Sequence, residues 1–489
     1  LVGSEMCIRD RLIKKNLNVK WCCLLGDTLV FSSSKSGLER IENLKAGDHV
    51  LSLNEANCTI ESCKVTKKLV RSSDDIYEVK FELLPRVKVT GEHPIMIVKK
   101  KAQDEFDSRA SEFVRTREIH KQYSAKSERD ETRKTCCYVV YPFNSQVVDV
   151  PELNERKCSL LGYYIARGRL LASNSKKSQI PNVVRFDMGM SEFNRALEIA
   201  DLVKREFSTS CRISFDLTSV KIRSSEFVKF IERFCLGTAK KEKLFAREIL
   251  LLPIEKQRDI IRAAWRFSKH FRKEKGLPLE VVFDSFQFAS RPLAIQFQQM
   301  LLRSGIVCSY SIETKSDKAS SNDVLYKLSK RTDVDQTDFV LDAEKSILYT
   351  RLSSIRRLHE TQKVFNLEVE RNRNYVTEAG LMHNCETRVD TVDFSLLHLM
   401  AQAGCKAVYV GFESGSDKML DVYNKGTTVE QNKRFARWAH KVGIRVAASM
   451  IFGHPLETSA DRVYSRKLIS ETRPATVFWN RWRSEYETP

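Results

Sequence analysis

Residues 23–30 read CLLGDTLV, and residues 364–385 read VFNLEVERNRNYVTEAGLMHNC. The first stretch opens and the second closes a region with the pattern of short strands. GDTLVF (26–31), DHVLSL (48–53), DIYEVKFEL (75–83) and RVKVT (86–90) alternate or are rich in β-branched residues, with SSSKSG (32–37) and LNEAN (53–57) as turns. Strand character returns in VFNLEVE (364–370) and NYVTEAGLM (374–382). A thiol stands at each edge, Cys23 at the start and Cys385 directly after His383-Asn384.

Those residue types support one reaction sequence. The Cys23 thiol can attack the carbonyl before it and turn the Cys22–Cys23 amide into a thioester, and a second thiol at Cys385 can capture the acyl group by exchange. The Asn384 side-chain amide can attack its own backbone carbonyl and break the chain after itself, while His383 protonates the leaving amine. The bland reading is a small buried hydrophobe at Cys23 and a satisfied core histidine at His93.

Outward from these edges the pattern changes. Residues 99–134 carry dense charge of both signs and read as a loop or a solvated helix. From about residue 151, SEFNRALEIADLVKREF (191–207) and RPLAIQFQQMLLRSG (291–305) have helical spacing, and CRISFDL (211–217) and LEVVFDSF (279–286) lie between helices, an α+β pattern. After Cys385, DFSLLHLMAQAG (393–404), KAVYVGFES (406–414), TTVEQNKRFARWAHKVG (427–443) and IRVAASMIFG (444–453) alternate helix and strand, which predicts a parallel sheet. The expectation is one β unit split around an α+β insert, within an α/β protein.

Composition bounds the rest. The 489 residues allow two to four domains, and 42% hydrophobic residues exclude wholesale disorder. No run approaches a membrane span, and no signal peptide is evident. The thirteen Cys include no CxxC, which argues against a zinc ribbon or a disulfide framework and makes a reducing, cytoplasmic setting the default. A net charge of +19 favours a polyanion partner over a merely solubilising surface. Residues 151–340 hold 34 basic and 23 acidic residues, so 11 of the 19 excess charges lie there.

The junctions and the strands between them resemble an intein, a Hint-type protein-splicing domain. CLLGDT (23–28), ERIENLKAGDHVLS (39–52) with its Gly47-Asp48 turn, VKVTGEHPIMI (87–97) with the TxxH of Thr90 and His93, and VFNLEVERNRNYVTEAGLMHN (364–384) match its blocks in order. The resemblance covers residues 23–384, 362 residues. It implies an all-β horseshoe of short strands, self-processing without a cofactor and on an intramolecular substrate, in which Thr90 and His93 polarise and strain the scissile amide. The catalytic set is Cys23, Thr90, His93, His383, Asn384 and Cys385. Two positions depart from the family: Arg373 where a His is frequent and Asn366 where an Asp is frequent, both positions assisting later steps in relatives.

Within the insert, LLGYYIARG (160–168) resembles the LAGLIDADG helix of homing endonucleases, and LPIEKQRDIIRAAWRFSKHF (252–271) its second copy. Each helix in that family ends in a carboxylate that holds Mg²⁺ for phosphodiester cleavage. Here those positions are Arg167 and Ser268, the latter followed by Lys269, and no Asp or Glu lies between Arg262 and Arg272. The resemblance implies double-stranded DNA as partner, while the missing carboxylates imply that metal binding and cleavage are lost. The alternatives are an active homing nuclease, with Mg²⁺, and a splicing-impaired insertion.

Joining residue 22 to residue 385 restores Trp21-Cys22-Cys385-Glu386-Thr387-Arg388-Val389-Asp390. With GFESGS (411–416) and GHPLET (453–458) this resembles radical S-adenosylmethionine enzymes. That implies an α/β partial barrel, with Gly411, Glu413 and Ser414 touching S-adenosylmethionine. Leu456 replaces a turn glycine of the family pattern, and the CxxxCxxC that ligates the 4Fe-4S cluster is absent, so no radical chemistry is expected of these residues. LVGSEMCIRD (1–10) resembles the translation of a sequencing adapter and is set aside as a tag. The expected organisation is therefore tag 1–10, host pieces 11–22 and 385–489, splicing parts 23–150 and 341–384, and endonuclease-like part 151–340, a fragment of a longer gene.

Overall fold

The computed structural model describes residues 23–101, 106–123, 135–172, 181–189, 192–216, 218–267, 284–315, 323–331, 338–383, 389, 392–402, 407–423 and 425–482. The chain divides into two compact units, Cys22–Asn384 and the pair Leu1–Trp21 with Cys385–Pro489.

The larger unit is built on an antiparallel sheet of fifteen strands. Among its strands are β1 (Leu24–Leu25), β2 (Leu29–Phe31), β3 (Arg86–Thr90), β4 (Pro94–Lys101), β5 (Gln362–Val369), β6 (Asn374–Thr377) and β7 (Gly380–His383). β1 is two residues long, yet it pairs on both sides, Leu24 with Phe365 of β5 and with Val89 of β3. β6 and β7 form a hairpin, and β7 reaches β4 through Met382 and Ile95. The sheet needs both sequence-distant halves, since strand Ile347–Leu358 joins Thr135–Pro142 to Ile76–Phe81. The β region thus resumes at Phe339–Asp342, which pairs with 347–350.

The charged stretch 99–134 is more structured than its composition suggests. Ser111–Arg115 is a strand paired with β4, and Thr116–Tyr123 is a helix that buries Ile119. Val114 and Ile119 both enter the core, and their burial overrides the surrounding charge.

The insert pairs two helices, α1 (Glu155–Arg167) and α2 (Ile254–Trp265), whose C-terminal ends meet where Arg167 donates to the Phe267 carbonyl. Asn154 caps α1 by accepting from the Lys157 amide. Gly162 of α1 lets the backbones touch: a Cβ there would strike the Ile260 carbonyl oxygen and lie 2.7 Å from the Ala263 Cβ. A four-stranded antiparallel sheet of Gly168–Ala172, Pro181–Asp187, Ser219–Ile222 and Cys211–Ile213 flanks them. A second sheet, Ser285–Phe288, Asp323–Lys330 and Cys308–Lys315, lies beside α3 (Arg291–Arg303). The predicted strand at 279–286 lies mostly outside the described residues, the strand itself being Ser285–Phe288. α3 is buried continuously from Leu293 to Leu302, so its glutamines must find partners inside. Their amide nitrogens do so on the fifteen-stranded sheet and neighbouring loops: Gln298 donates to the Leu83 carbonyl (2.8 Å) and Gln299 to the Tyr141 hydroxyl (2.7 Å). One connected apolar core therefore runs through the fifteen-stranded sheet and the insert.

In the second unit, strands Ala407–Glu413, Arg445–Phe452 and Thr476–Arg481 are parallel neighbours, as the alternating pattern predicts. Helices Val429–Lys441 and Ser459–Thr472 connect them, each opened by a capping box, Thr428 with Gln431 and Thr458 with Asp461. Val410, Phe412, Phe435, Val446 and Met450 form a separate core.

The helix contact at Gly162 gives a direct check. Gly162→Ala should cost about 1–3 kcal/mol through overpacking, read as a lower urea midpoint; an unchanged midpoint would show that the helices do not approach this closely.

Candidate active site

Cys23 stands immediately before β1, so its position follows from the double pairing of Leu24. Its backbone N–H donates to the Thr90 hydroxyl (2.8 Å), and the Thr90 N–H donates to the Cys23 carbonyl (2.8 Å). This N–H belongs to the amide that the thiol would have to break. The Cys23 side chain is buried, and burial pushes its thiol up to about 12, partly opposed by Arg71. The resting group is therefore a thiol, and attack requires a proton to leave.

Thr90 and His93 bound a tight turn in which the His93 N–H donates to the Thr90 carbonyl (3.0 Å). Thr116 clamps the far side of the turn, its N–H (3.0 Å) and hydroxyl (2.9 Å) both donating to the His93 carbonyl. Both side chains of the TxxH pair are buried. β4 starts directly after His93, and its Ile95 pairs with Met382, the neighbour of His383. The turn thus has Cys23 at one end and the strand leading to His383 at the other. The His383 ring packs edge-on against Phe113, with centroids 4.7 Å apart. Phe113 comes from the strand hidden in the charged stretch. Cys22, Asn384 and Cys385 lie outside the described residues, as do Trp21, Thr387, Arg388 and Asp390.

The two departures from the family pattern have distinct surroundings. Asn366 is buried next to Phe365, the partner of Leu24. Its Oδ1 accepts from the Leu367 N–H (2.8 Å) and the Tyr375 hydroxyl (2.8 Å). A backbone N–H can only donate, which fixes the oxygen in place and leaves Nδ2 buried without an acceptor among the described residues. Burial pushes the Tyr375 phenol well up, and Cys23 is close enough to act on it electrostatically. Arg373 occupies the β5–β6 turn with φ of 56°, an uncommon conformation for a side chain of its size. Asn374 beside it fastens β6 through Ser52, Leu53 and Glu55. Tyr375, Thr116 and Phe113 carry no sequence signal of their own, because only strand register brings them to the site.

At the end of α1, Arg167 donates to the Phe267 carbonyl (3.4 Å) and lies 3.7 Å from Glu192. Buried Lys243 donates to the Tyr164 carbonyl (3.0 Å) and to Gly168, and burial pulls its ammonium down to about 8. Ser268 lies outside the described residues.

In the second unit, Glu413 ends its strand with φ of 57° and pairs with Lys425 (2.9 Å). Gly411 leaves room for that pair, since a Cβ there would lie 2.6 Å from the Lys425 Nζ. The Ser414 hydroxyl accepts from the Ser416 N–H (3.1 Å). These polar groups already satisfy one another, and no described residues form a group of three His, Cys, Asp or Glu side chains able to hold a metal ion.

Comparison with known proteins bears on both units. The intein splicing domain family model matches residues 30–384, and the radical SAM superfamily model matches residues 339–469. The second match begins inside strands that belong to the splicing sheet. An uncharacterized protein of Methanocaldococcus jannaschii is 24% identical over 426 residues, covering 75% of this chain and 50% of that protein. A putative methylthiotransferase of the same organism is 36% identical over 93 residues, covering 19% of this chain and 21% of its own length. The chain thus spans at most half the length of these relatives. A crystal structure of a variant Ssp DnaB mini-intein is similar at 10% identity and a TM-score of 0.25, covering 75% of this chain and 94% of that one. The chain carries a radical SAM region towards its C-terminus, and with 355 of its 489 residues matched it belongs to the intein splicing domain family.

Proposed function

We propose that residues 23–384 excise themselves and join Cys22 to Cys385. The observation that carries this reading is the reciprocal pair of hydrogen bonds between Cys23 and Thr90. With its N–H held by the Thr90 hydroxyl and its carbonyl by the Thr90 amide, the scissile nitrogen is fixed beside the thiol that must replace it.

The Cys23 Sγ loses its proton and attacks the Cys22 carbonyl carbon. The C–N bond breaks, the amine takes up a proton and a thioester remains. The Cys385 Sγ then attacks that thioester and the Cys23 thiol leaves. Asn384 Nδ2 next attacks its own carbonyl carbon, the Asn384–Cys385 bond breaks, and His383 supplies the proton to the departing amine. That amine finally attacks the Cys22–Cys385 thioester, giving a peptide bond and a free Cys385 thiol. Asn366, neutral where the family frequently has an acid, offers a hydrogen-bond donor but no proton acceptor of carboxylate strength, so the middle steps proceed without a general base at this position.

For the insert, the reading best supported is a LAGLIDADG-type domain that keeps a DNA-binding surface without cleaving. Arg169, Arg185, Lys221 and Arg212 stand directly opposite one another across the four-stranded sheet, in one cationic row. Like charges placed so are unfavourable unless an anion joins them, and within the chain Asp187 pairs with the first two. A phosphate backbone would complete the neutralisation. Arg167 and Lys243 at the end of α1 would repel Mg²⁺.

Expression should yield an excised 362-residue product and a shorter ligated one. Cys23→Ala should abolish the thioester and its cleavage by added thiol, whereas Asn384→Ala should keep that cleavage and lose release; normal splicing by Cys23→Ala would defeat the mechanism. Thr90→Ala should slow the first step about tenfold to a hundredfold, the effect of losing one hydrogen bond to the reacting amide. Because the thiol is raised to about 12, thiol-induced cleavage in Asn384→Ala should keep accelerating from pH 7 to 10; a plateau near pH 8 would mean an already ionised thiol. Duplex DNA should bind with strong salt dependence that weakens in a Lys221→Ala, Arg212→Ala variant, and should stay intact with Mg²⁺. Specific double-strand cleavage of the uninterrupted host gene would overturn this part.

A further inference from the structure

α3 belongs to the insert, yet the hydrogen bonds of its first residue run to the large sheet. Arg291 lies next to the Ser290 cap, whose hydroxyl accepts from the Leu293 N–H. From there its guanidinium reaches two places in the splicing sheet. Nε donates to Glu378 Oε2 (2.9 Å) and Nη2 pairs with Glu378 Oε1. Nη1 donates to the carbonyl (3.5 Å) and carboxylate (3.4 Å) of Asp27.

The two targets flank the reacting segment from opposite ends of the sequence. Glu378 sits in the β6–β7 turn and leads through β7 into His383. Asp27 follows β1, four residues past Cys23. Glu378 is fully buried, accepts from the Leu29 N–H (2.9 Å), and returns its own N–H to the Leu29 carbonyl (2.9 Å). Its carboxylate therefore fastens the hairpin to β2, and its charge is balanced from α3. The charged and titratable groups facing it are Arg291 from α3, Asp27 from the turn after β1, Tyr141 from strand Thr135–Pro142, and Tyr310 from strand Cys308–Lys315. Arg291 is the cation among them.

We infer that Arg291 is a positioning residue for splicing: it ties the turn that leads into His383 to the turn that follows Cys23, so that the insert sets the register of the two reacting ends. This inference rests on the splicing reading above. It makes the inserted part a working support of the splicing site, independent of any DNA binding.

A buried carboxylate that loses its partner is a strong penalty. Burial already raises the Glu378 carboxyl, and Arg291 opposes that rise. Without Arg291 the folded-state value moves further above the unfolded one. The hairpin is then most stable at acid pH and weakens as pH rises towards the folded-state value, beyond which the loss is constant.

The test uses the full chain. Arg291→Ala should slow splicing about tenfold or more, as expected for an uncompensated buried charge. The ratio of its rate to that of the unaltered chain should improve as pH is lowered from neutral towards the ordinary carboxylate range. Arg291→Lys should retain more activity than Arg291→Ala, and adding Glu378→Gln to Arg291→Ala should recover splicing and flatten the pH dependence of the ratio. A general folding defect would give neither the acid recovery nor the rescue by Glu378→Gln. The inference is overturned if Arg291→Ala splices at the unaltered rate, or if Glu378→Gln fails to improve it. Should the unaltered chain yield no ligated product, the splicing reading itself has failed. The clamp is then read from thermal unfolding alone, where Arg291→Ala must melt lower and Glu378→Gln must restore it.

Discussion

The arrangement depends on how a two-residue strand holds Cys23. β1 is too short to be stable alone, and it exists because Leu24 is paired to β3 and β5 at once. That pairing presents the Cys23 amide to Thr90, which takes its N–H and satisfies its carbonyl. The same turn carries His93, and the strand after it meets the hairpin ending at His383. One Thr90–His93 turn thus gathers elements that lie some three hundred residues apart. The thiol is withdrawn from water there, and that burial favours its protonated form.

The insert shares the splicing core. α3 is buried from Leu293 to Leu302, and Gln298 Nε2 and Gln299 Nε2 donate to Leu83 and Tyr141 of the splicing unit. Glu378 deepens this dependence, since its charge sits inside the splicing sheet and its balancing cation sits on α3. Elsewhere the insert has its own logic. Two helices touch through Gly162, and beside them a sheet buries Val184, Phe186, Val220 and Ile222 on one face while a cationic row lies on the other.

Much of this was legible in the residues. The edge chemistry of Cys23, His383-Asn384 and Cys385 needs only functional-group reasoning, and the strand pattern from 26 to 90 follows from period-two alternation. Residues 160–168 read as a helix, while the close helix contact at Gly162 appears only in the structure. Residues 99–134 were misleading for a physical reason: a strand and a helix with few buried residues look like solvated charge, yet Val114 and Ile119 suffice to anchor them. Asn366 and Arg373 stood out as departures, but their surroundings, Tyr375 for one and a left-handed turn for the other, depend on register and backbone conformation.

The sequence by itself determined the candidate reactive groups and their order along the chain, the change from β to α+β to parallel α/β, and the concentration of positive charge between residues 151 and 340. These are local properties, carried by side-chain chemistry and short-range periodicity. Only the tertiary structure decided which groups meet: Thr90 with the Cys23 amide, Phe113 with His383, Tyr375 with Asn366, and Arg291 with both Glu378 and Asp27. Such partners are set by antiparallel register and by the burial of polar groups that must then be satisfied, and neither leaves a trace in the spacing of residues along one strand.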